Sequence, residues 1–202
     1  MFALTSRRFA ALAAFPLFVA ARPADVTTHV VDKAHSEINF VAESRLLSAH
    51  GFFGKWDADV KLDANNWSNS SVAISIDAAS INTRVDMRDN HLRSADFFDV
   101  AKYPTITFKS TSVKQLSATK AEITGDLTVK GVTKKVVVPA SVVFYEKGAG
   151  RFRGALTINR KDFGVSYDAM VNPIEDEVAV QWDISLKEPA PASTNAPSKT
   201  NR

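Results

Sequence analysis

The sequence predicts an all-β fold, an up-and-down antiparallel barrel of about eight strands that carries one short helix. Two observations lead to this prediction. Most of the chain alternates between apolar and polar residues with a period of two, as half-buried strands do. Only the stretch from Met87 to Asp99 has helical spacing, and Tyr103-Pro104 then restarts the alternation at Thr105, because proline disfavours a helical residue before it. A single helix within a series of two-sided strands is typical of a closed barrel with a helical lid or plug.

Composition limits the range of functions. The chain has 202 residues and 45% hydrophobic residues, which is enough for one sizeable core and short for two. It contains no cysteine, so disulfides, thiol catalysis, thiolate zinc sites and iron–sulfur clusters are excluded. Acidic and basic residues are nearly balanced and interleaved along the strands, which gives no electrostatic surface for nucleic acid.

The N-terminal segment reads as a targeting signal. Arg7 and Arg8 precede an apolar run over residues 9–21, which is the pattern of a secretory signal peptide and too short for a membrane span. We expect residues 1–21 to be removed after Ala21, with Ala24 as the other candidate position, and the mature protein to be exported. Both general secretion and twin-arginine export are compatible with this segment.

The first mature strands are predicted at residues 27–31 and 36–44. The next strand has the clearest pattern, since a one-residue shift of its register would bury two lysines and three aspartates. Its inward positions are predicted to be Phe52, Gly54, Trp56, Ala58, Val60 and Leu62.

Later strands are predicted from the same alternation near residues 72–76, 105–110, 121–129, 134–145, 152–158 and 178–186. Residues 22–188 therefore form the predicted barrel domain. Residues 189–202 are rich in Pro, Ala, Ser, Thr and Asn, and this composition predicts a disordered tail.

Several inward positions in mid-strand carry almost no side chain, notably Gly54, Ala58, Ala121, Gly125 and Gly154. One interpretation is that glycines relieve sheet curvature while aromatic residues fill the interior. The other is an apolar cavity that holds an aliphatic ligand. The candidate ligand-binding residues on the second interpretation are Phe40, Phe52, Gly54, Trp56, Phe108, Gly125, Leu127, Phe152, Gly154, Leu156 and Trp182.

Motifs along the chain resemble the YceI family of bacterial periplasmic proteins. The resemblance covers nearly all of residues 28–188 and rests on Val31-Asp32-Lys33-Ala34-His35-Ser36, Gly51 to Phe53, Ser80-Ile81-Asn82-Thr83, Arg88-Asp89 with His91-Leu92, Asp96 to Val100, Tyr103 to Ser110, Thr124 to Thr128, Gly131 to Lys134, and Asn159-Arg160 with Asp162 to Val165. It implies a periplasmic, lipocalin-like barrel that binds a polyisoprenoid or a similar amphiphilic lipid, for transport or storage. Residues 44–50 depart from the pattern of familiar members, and loops at a barrel mouth often select the ligand.

No motif indicates catalysis, a cofactor or a metal site. The four histidines, His29, His35, His50 and His91, lack the spacing of metal ligands. Arg88, Asp89 and His91 are interpreted as groups that tie the helix to the barrel wall. We therefore expect a binding protein rather than an enzyme.

Two other classes of function stay open at this stage. One is a small enzyme of isoprenoid or redox metabolism that uses the same cavity. The other is an outer-membrane barrel, which needs apolar strand faces toward lipid and polar faces toward a lumen. The sequence is equally compatible with a monomer and a homodimer.

Overall fold

The computed structural model describes residues 25–187, and all its strand segments belong to one sheet of eleven segments. The predicted signal peptide and C-terminal tail lie outside the described residues. The segments are β1 (Thr27–Val31), β2 (Glu37–Ser44), β3 (Ser48–Phe53), β4 (Trp56–Leu62), β5 (Ser71–Asp77), β6 (Ile81–Asn82), β7 (Thr105–Ser117), β8 (Lys120–Val129), β9 (Val132–Glu146), β10 (Ala149–Asn159) and β11 (Ile174–Lys187), and the helix α1 is Asp86–Arg93.

The eleven segments make an eight-stranded antiparallel barrel, because three barrel strands are each divided into two segments. These strands are β1 with β2, β3 with β4, and β5 with β6. β1 and β2 both pair with β11, while β4 pairs with β1 and β3 pairs with β2. β5 and β6 continue this arrangement against β4 and β3. From β5 through β7 to β11 each strand pairs with the next. The predicted up-and-down barrel is confirmed.

The strand predicted to alternate without interruption from Phe52 to Leu62 is bent at Gly54 and Lys55. There Gly54 N donates to Ser80 O at 3.1 Å, and Asp77 N donates to Lys55 O at 2.9 Å. These two residues lie between β3 and β4 and interrupt the alternation of inward and outward side chains. Odd-numbered residues therefore face inward in β3, and even-numbered residues face inward in β4. Phe53 faces the interior in β3, and the inward assignment of Phe52 and Gly54 is wrong.

The helix is shorter than its spacing predicts. It ends at Arg93, because Ser94 is extended, with φ −71° and ψ 173°. The chain from Ser94 to Lys102 then forms turns, which include Asp99 at a φ of 48°. None of the helices within residues 25–187 is long and apolar enough to cross a membrane.

Polar and apolar side chains separate across the barrel wall. Asp57, Asp59 and Lys61 on β4 are exposed, whereas Val60 between them is buried. The larger buried cluster lies at the end of the barrel that α1 covers, and it includes Phe97, Phe163 and Val165. A smaller cluster of Val60, Ile184 and Leu186 is buried toward the other end.

Candidate ligand cavity

The barrel encloses a cavity of about 570 Å³ whose wall is almost entirely apolar. All eight barrel strands contribute to it. Six of the candidate residues line it, namely Phe40, Phe108, Leu127, Phe152, Leu156 and Trp182. The small inward residues Ala58 and Ala121 line it as well.

The other five candidates do not line the cavity. Phe52, Gly54 and Trp56 border a groove on the outside of the bend between β3 and β4. Lys33 Nζ lies 3.7 Å from the centre of the Trp56 ring and 3.1 Å from Asp57 Oδ1. Trp56 also packs against both buried clusters of the interior, so it lies in the barrel wall beside the bend without lining the cavity.

The remaining two, Gly125 and Gly154, are covered by aromatic rings from neighbouring strands. A Cβ atom at Gly125 would lie 2.5 Å from the ring of Phe108, and one at Gly154 would lie 2.5 Å from the ring of Trp182. Gly51 is covered by Phe40 in the same way. These glycines do not create the empty space; each one accommodates a ring that forms part of the cavity wall.

Residues near α1 close one end of the cavity. Leu92, Phe97 and Phe98 line it there. The His91 ring packs edge-on against Phe97 and Tyr167, with centroids 4.9 and 4.8 Å apart, and His91 Nε2 lies 2.9 Å from Asp96 Oδ2. Sequence reasoning missed these lining residues because the apolar side chains of a short helix and its turns do not show which way they face.

The polar groups of α1 are bonded to the protein itself. Asp89 is 3% exposed, and its Oδ1 accepts from Thr83 N at 2.8 Å and from Thr83 Oγ1 at 2.5 Å. Arg88, which reaches the cavity rim, donates from Nε to Thr83 Oγ1 at 2.8 Å. These bonds join the helix to the residue after β6, which agrees with the interpretation that they tie helix to wall.

A buried arginine shapes the loop beside α1. Arg160 is 5% exposed, and its guanidinium donates to four backbone carbonyls, those of Val165, Tyr167, Ile174 and Glu175, at 2.8–3.0 Å. Asp176 Oδ1 lies 3.3 Å from Arg160 Nη2. All five N–H donors of the guanidinium are thereby used by the loop that precedes β11 and by the first three residues of β11.

Polar side chains also lie at the end of the barrel away from α1. His29 Nδ1 donates to Thr27 O at 2.9 Å, and His29 Nε2 lies 2.9 Å from the Tyr145 hydroxyl. Burial raises the pKa of Tyr145 above its usual range. Asp63 accepts from the Asn69 side chain and the backbone of Asn66 and Asn65, and these bonds lower the pKa of its carboxyl.

Between residues 25 and 187, no three His, Cys, Asp or Glu side chains are grouped closely enough to hold a metal ion. One buried polar atom in this range lacks a hydrogen-bond partner, the indole Nε1 of Trp182.

Comparison with known proteins assigns the chain to a family. A YceI-like domain model matches residues 29–186. The chain belongs to the YceI-like family. A UPF0312 protein of Ectopseudomonas mendocina is 39% identical over 148 residues, which are 69% of this chain and 78% of the relative.

Solved structures share the fold of this YceI-like chain. The crystal structure of Burkholderia cenocepacia BcnA is 29% identical with a TM-score of 0.73, and the match covers 78% of this chain and 100% of that one. A polyisoprenoid binding domain from Saccharophagus degradans, implicated in plant cell wall breakdown, has a TM-score of 0.62 over 80% of this chain and 98% of that one. At 17% identity, the second comparison concerns the fold alone.

Proposed function

We propose that this protein binds a polyisoprenoid, or a similar long-chain amphiphile, in the barrel cavity and carries or stores it in the periplasm without chemical change. The observation that carries the proposal is the apolar cavity of about 570 Å³ inside the barrel, which lies within the usual range for small-molecule sites. An apolar wall favours the aliphatic part of a lipid because burying that surface is the main source of affinity. The name of the structurally similar polyisoprenoid binding domain is consistent with this ligand class.

The distribution of polar residues favours a container in water over an outer-membrane barrel. The alternating strands place Val60 inside and charged Asp59 and Lys61 outside, whereas an outer-membrane barrel has its apolar band outside. The periplasmic location rests on the predicted signal peptide at residues 1–21.

The polar groups near α1 favour binding over catalysis. Asp89 and Arg88 are bonded to Thr83, and Arg160 is bonded to its own loop. A general base or nucleophile has to reach the substrate with an available polar atom. Asp89, Arg88 and Arg160 direct polar atoms toward the protein, and His91, which lines the cavity, has its Nε2 paired with Asp96.

The experiment is mass spectrometry of organic extracts from protein purified without detergent. We expect a long-chain lipid in extracts of the wild type. Ala58→Phe, which adds a ring at a cavity-lining position, should lose most of that lipid because the new side chain takes the volume of the ligand. Asp59→Phe adds the same ring at the next residue, on the outer face, and should retain it.

Three results would contradict the proposal. They are an extract free of long-chain lipid, equal retention in the two phenylalanine variants, and release of a chemically altered lipid on incubation. The last result would favour the alternative function, a small enzyme that uses the same cavity.

A further inference from the structure

Two loops at the α1 end of the barrel are bonded to each other. The first, residues 44–48, joins β2 to β3, and the second, residues 168–173, leads into β11. Arg45 N donates to Pro173 O at 3.2 Å, Leu46 N to Asn172 Oδ1 at 3.0 Å, and Asn172 Nδ2 to Ser44 Oγ at 3.1 Å. These three hydrogen bonds join the two loops into one unit.

This unit exposes large apolar side chains at its tip. Leu46, Leu47, Met170 and Val171 are 70, 48, 102 and 80% exposed. We call these four residues the two-loop tip. Exposing several large apolar side chains together is unfavourable in water and usually marks a contact surface.

The two-loop tip is continuous with the cavity. Leu47 belongs to the tip and also lines the cavity, and Ser44, Ala169 and Asn172 of the same loops line it too. Tyr167, just before the second loop, lies against His91 of α1. The tip thus borders the cavity between the helix and the two loops.

We infer that the two-loop tip inserts into the surface of a phospholipid bilayer, so that a lipid passes between bilayer and cavity without crossing water. This inference rests on the proposed function, because a bilayer is where a long-chain amphiphile resides. A stable protein interface usually needs about 20–30 residues on each side, far more than the tip offers. A bilayer interface needs no complementary surface, and a few apolar side chains give the marginal, reversible binding that pick-up and release require.

The charges beside the tip indicate how it binds. Exposed Arg45 and Asp168 carry opposite charges, so they give little net attraction to anionic lipid. The apolar side chains should supply the affinity, and insertion should be nearly independent of salt.

The absence of cysteine from the sequence permits a local test on the full chain. Met170→Cys would carry an environment-sensitive NBD fluorophore, and Leu116→Cys, at the opposite end of the barrel, would carry it as the matched control. With vesicles of phosphatidylcholine and phosphatidylethanolamine, the label at position 170 should shift to shorter wavelength and become shielded from iodide, in low and high salt alike. The label at position 116 should not change.

A second substitution tests the role of the tip. Adding Leu46→Ser to labelled Met170→Cys should weaken vesicle partitioning by on the order of 10-fold, because one aliphatic side chain no longer inserts. Adding Leu116→Ser to the same labelled protein should leave vesicle partitioning unchanged. Neither Leu46 nor Met170 lines the cavity, so both proteins should keep the lipid that mass spectrometry detects in the wild type.

Several results would overturn the inference. One is a label at position 170 that stays in water, and another is an equal response of the two labels. A third is burial of that label without vesicles as protein concentration rises, which would show that a second copy covers the tip. No vesicle insertion with lipid still in the extracts would remove the inference and leave the proposed function. Insertion with lipid-free extracts would remove the proposed function and leave only a bilayer contact of the tip, without lipid passage.

Discussion

At the scale of single residues, the glycines of this barrel have different roles that the sequence pattern cannot separate. In the sequence, Gly54 and Gly154 each fall among the alternating apolar positions of a predicted strand. In the structure, Gly54 lies at the bend outside the lumen, and Gly154 lies beneath the Trp182 ring opposite it in β11. The difference depends on the neighbouring strand, which is remote in sequence.

Replacing these glycines with alanine should therefore have unequal effects. A Cβ at Gly154 would lie 2.1 Å from Pro139 O, a backbone atom that cannot move away easily, whereas the nearest atom to a Cβ at Gly54 is 3.7 Å away. We expect Gly154→Ala to lower the free energy of unfolding by about 1–3 kcal/mol or more. Gly54→Ala should be nearly neutral or stabilise by about 0.4–1 kcal/mol. Urea denaturation measures both, and equal effects would contradict this assignment of roles.

At the scale of elements, one buried carboxylate contributes to the attachment of α1, beside the bonds that Arg88 and Arg93 donate to Thr83 and Ile81. Its N-terminal flanking residue, Val85, provides no side-chain cap. Asp89 reaches back to Thr83 instead. Asp89 therefore fixes the first turn of the helix to the wall.

Asp89→Ala should lower the free energy of unfolding by about 1–3 kcal/mol, because the buried Thr83 N–H loses its acceptor. Asp86→Ala is the control, since Asp86 is an exposed acid in the same helical turn, and it should change stability by less than about 0.5 kcal/mol. Thermal and urea unfolding of both proteins are the measurements. Lipid turnover that is lost in Asp89→Ala without any loss of stability would instead indicate a catalytic carboxylate.

The loop between β4 and β5 should respond to acid. The bond from Asn69, followed by those from the backbone of Asn66 and Asn65, lowers the pKa of Asp63 in the folded protein. The resulting stabilisation is complete above the pKa of the unfolded carboxyl and is lost as pH falls below about 4 through the lowered folded value.

Asp63→Asn should therefore be less stable than the wild type at neutral pH, and the gap should narrow in acid. Urea unfolding of both proteins across this pH range measures the effect. A gap of constant size would contradict the role assigned to the Asp63 carboxylate.

At the scale of the whole molecule, the sequence predicted the barrel because alternation and a single helix are local signals that agree with each other. Alternation also predicted the inward-facing residues of β8 and β10, such as Leu127 and Leu156, which line the cavity. The phase change at Gly54-Lys55 was missed, because it arises from bonds to Asp77 and Ser80 in another part of the chain. The cavity residues of α1 and the following turns were not predicted. They depend on how the helix packs against the barrel, which the spacing of apolar residues does not show.

The cavity itself gives the last prediction, through the tryptophans. The chain has three, Trp56, Trp67 and Trp182, of which Trp182 lies in the cavity wall and Trp56 does not line the cavity. A brominated long-chain alcohol quenches indoles that it contacts, so titrating it into lipid-free protein should reduce the emission to a plateau. Trp56→Phe should leave most of this quenching in place, because Trp56 is held in the wall at the bend. Trp182→Phe should remove most of it, and the remainder should come from Trp67, which also lines the cavity. Quenching that depended mainly on Trp56 instead would contradict a ligand position beside Trp182 in the cavity.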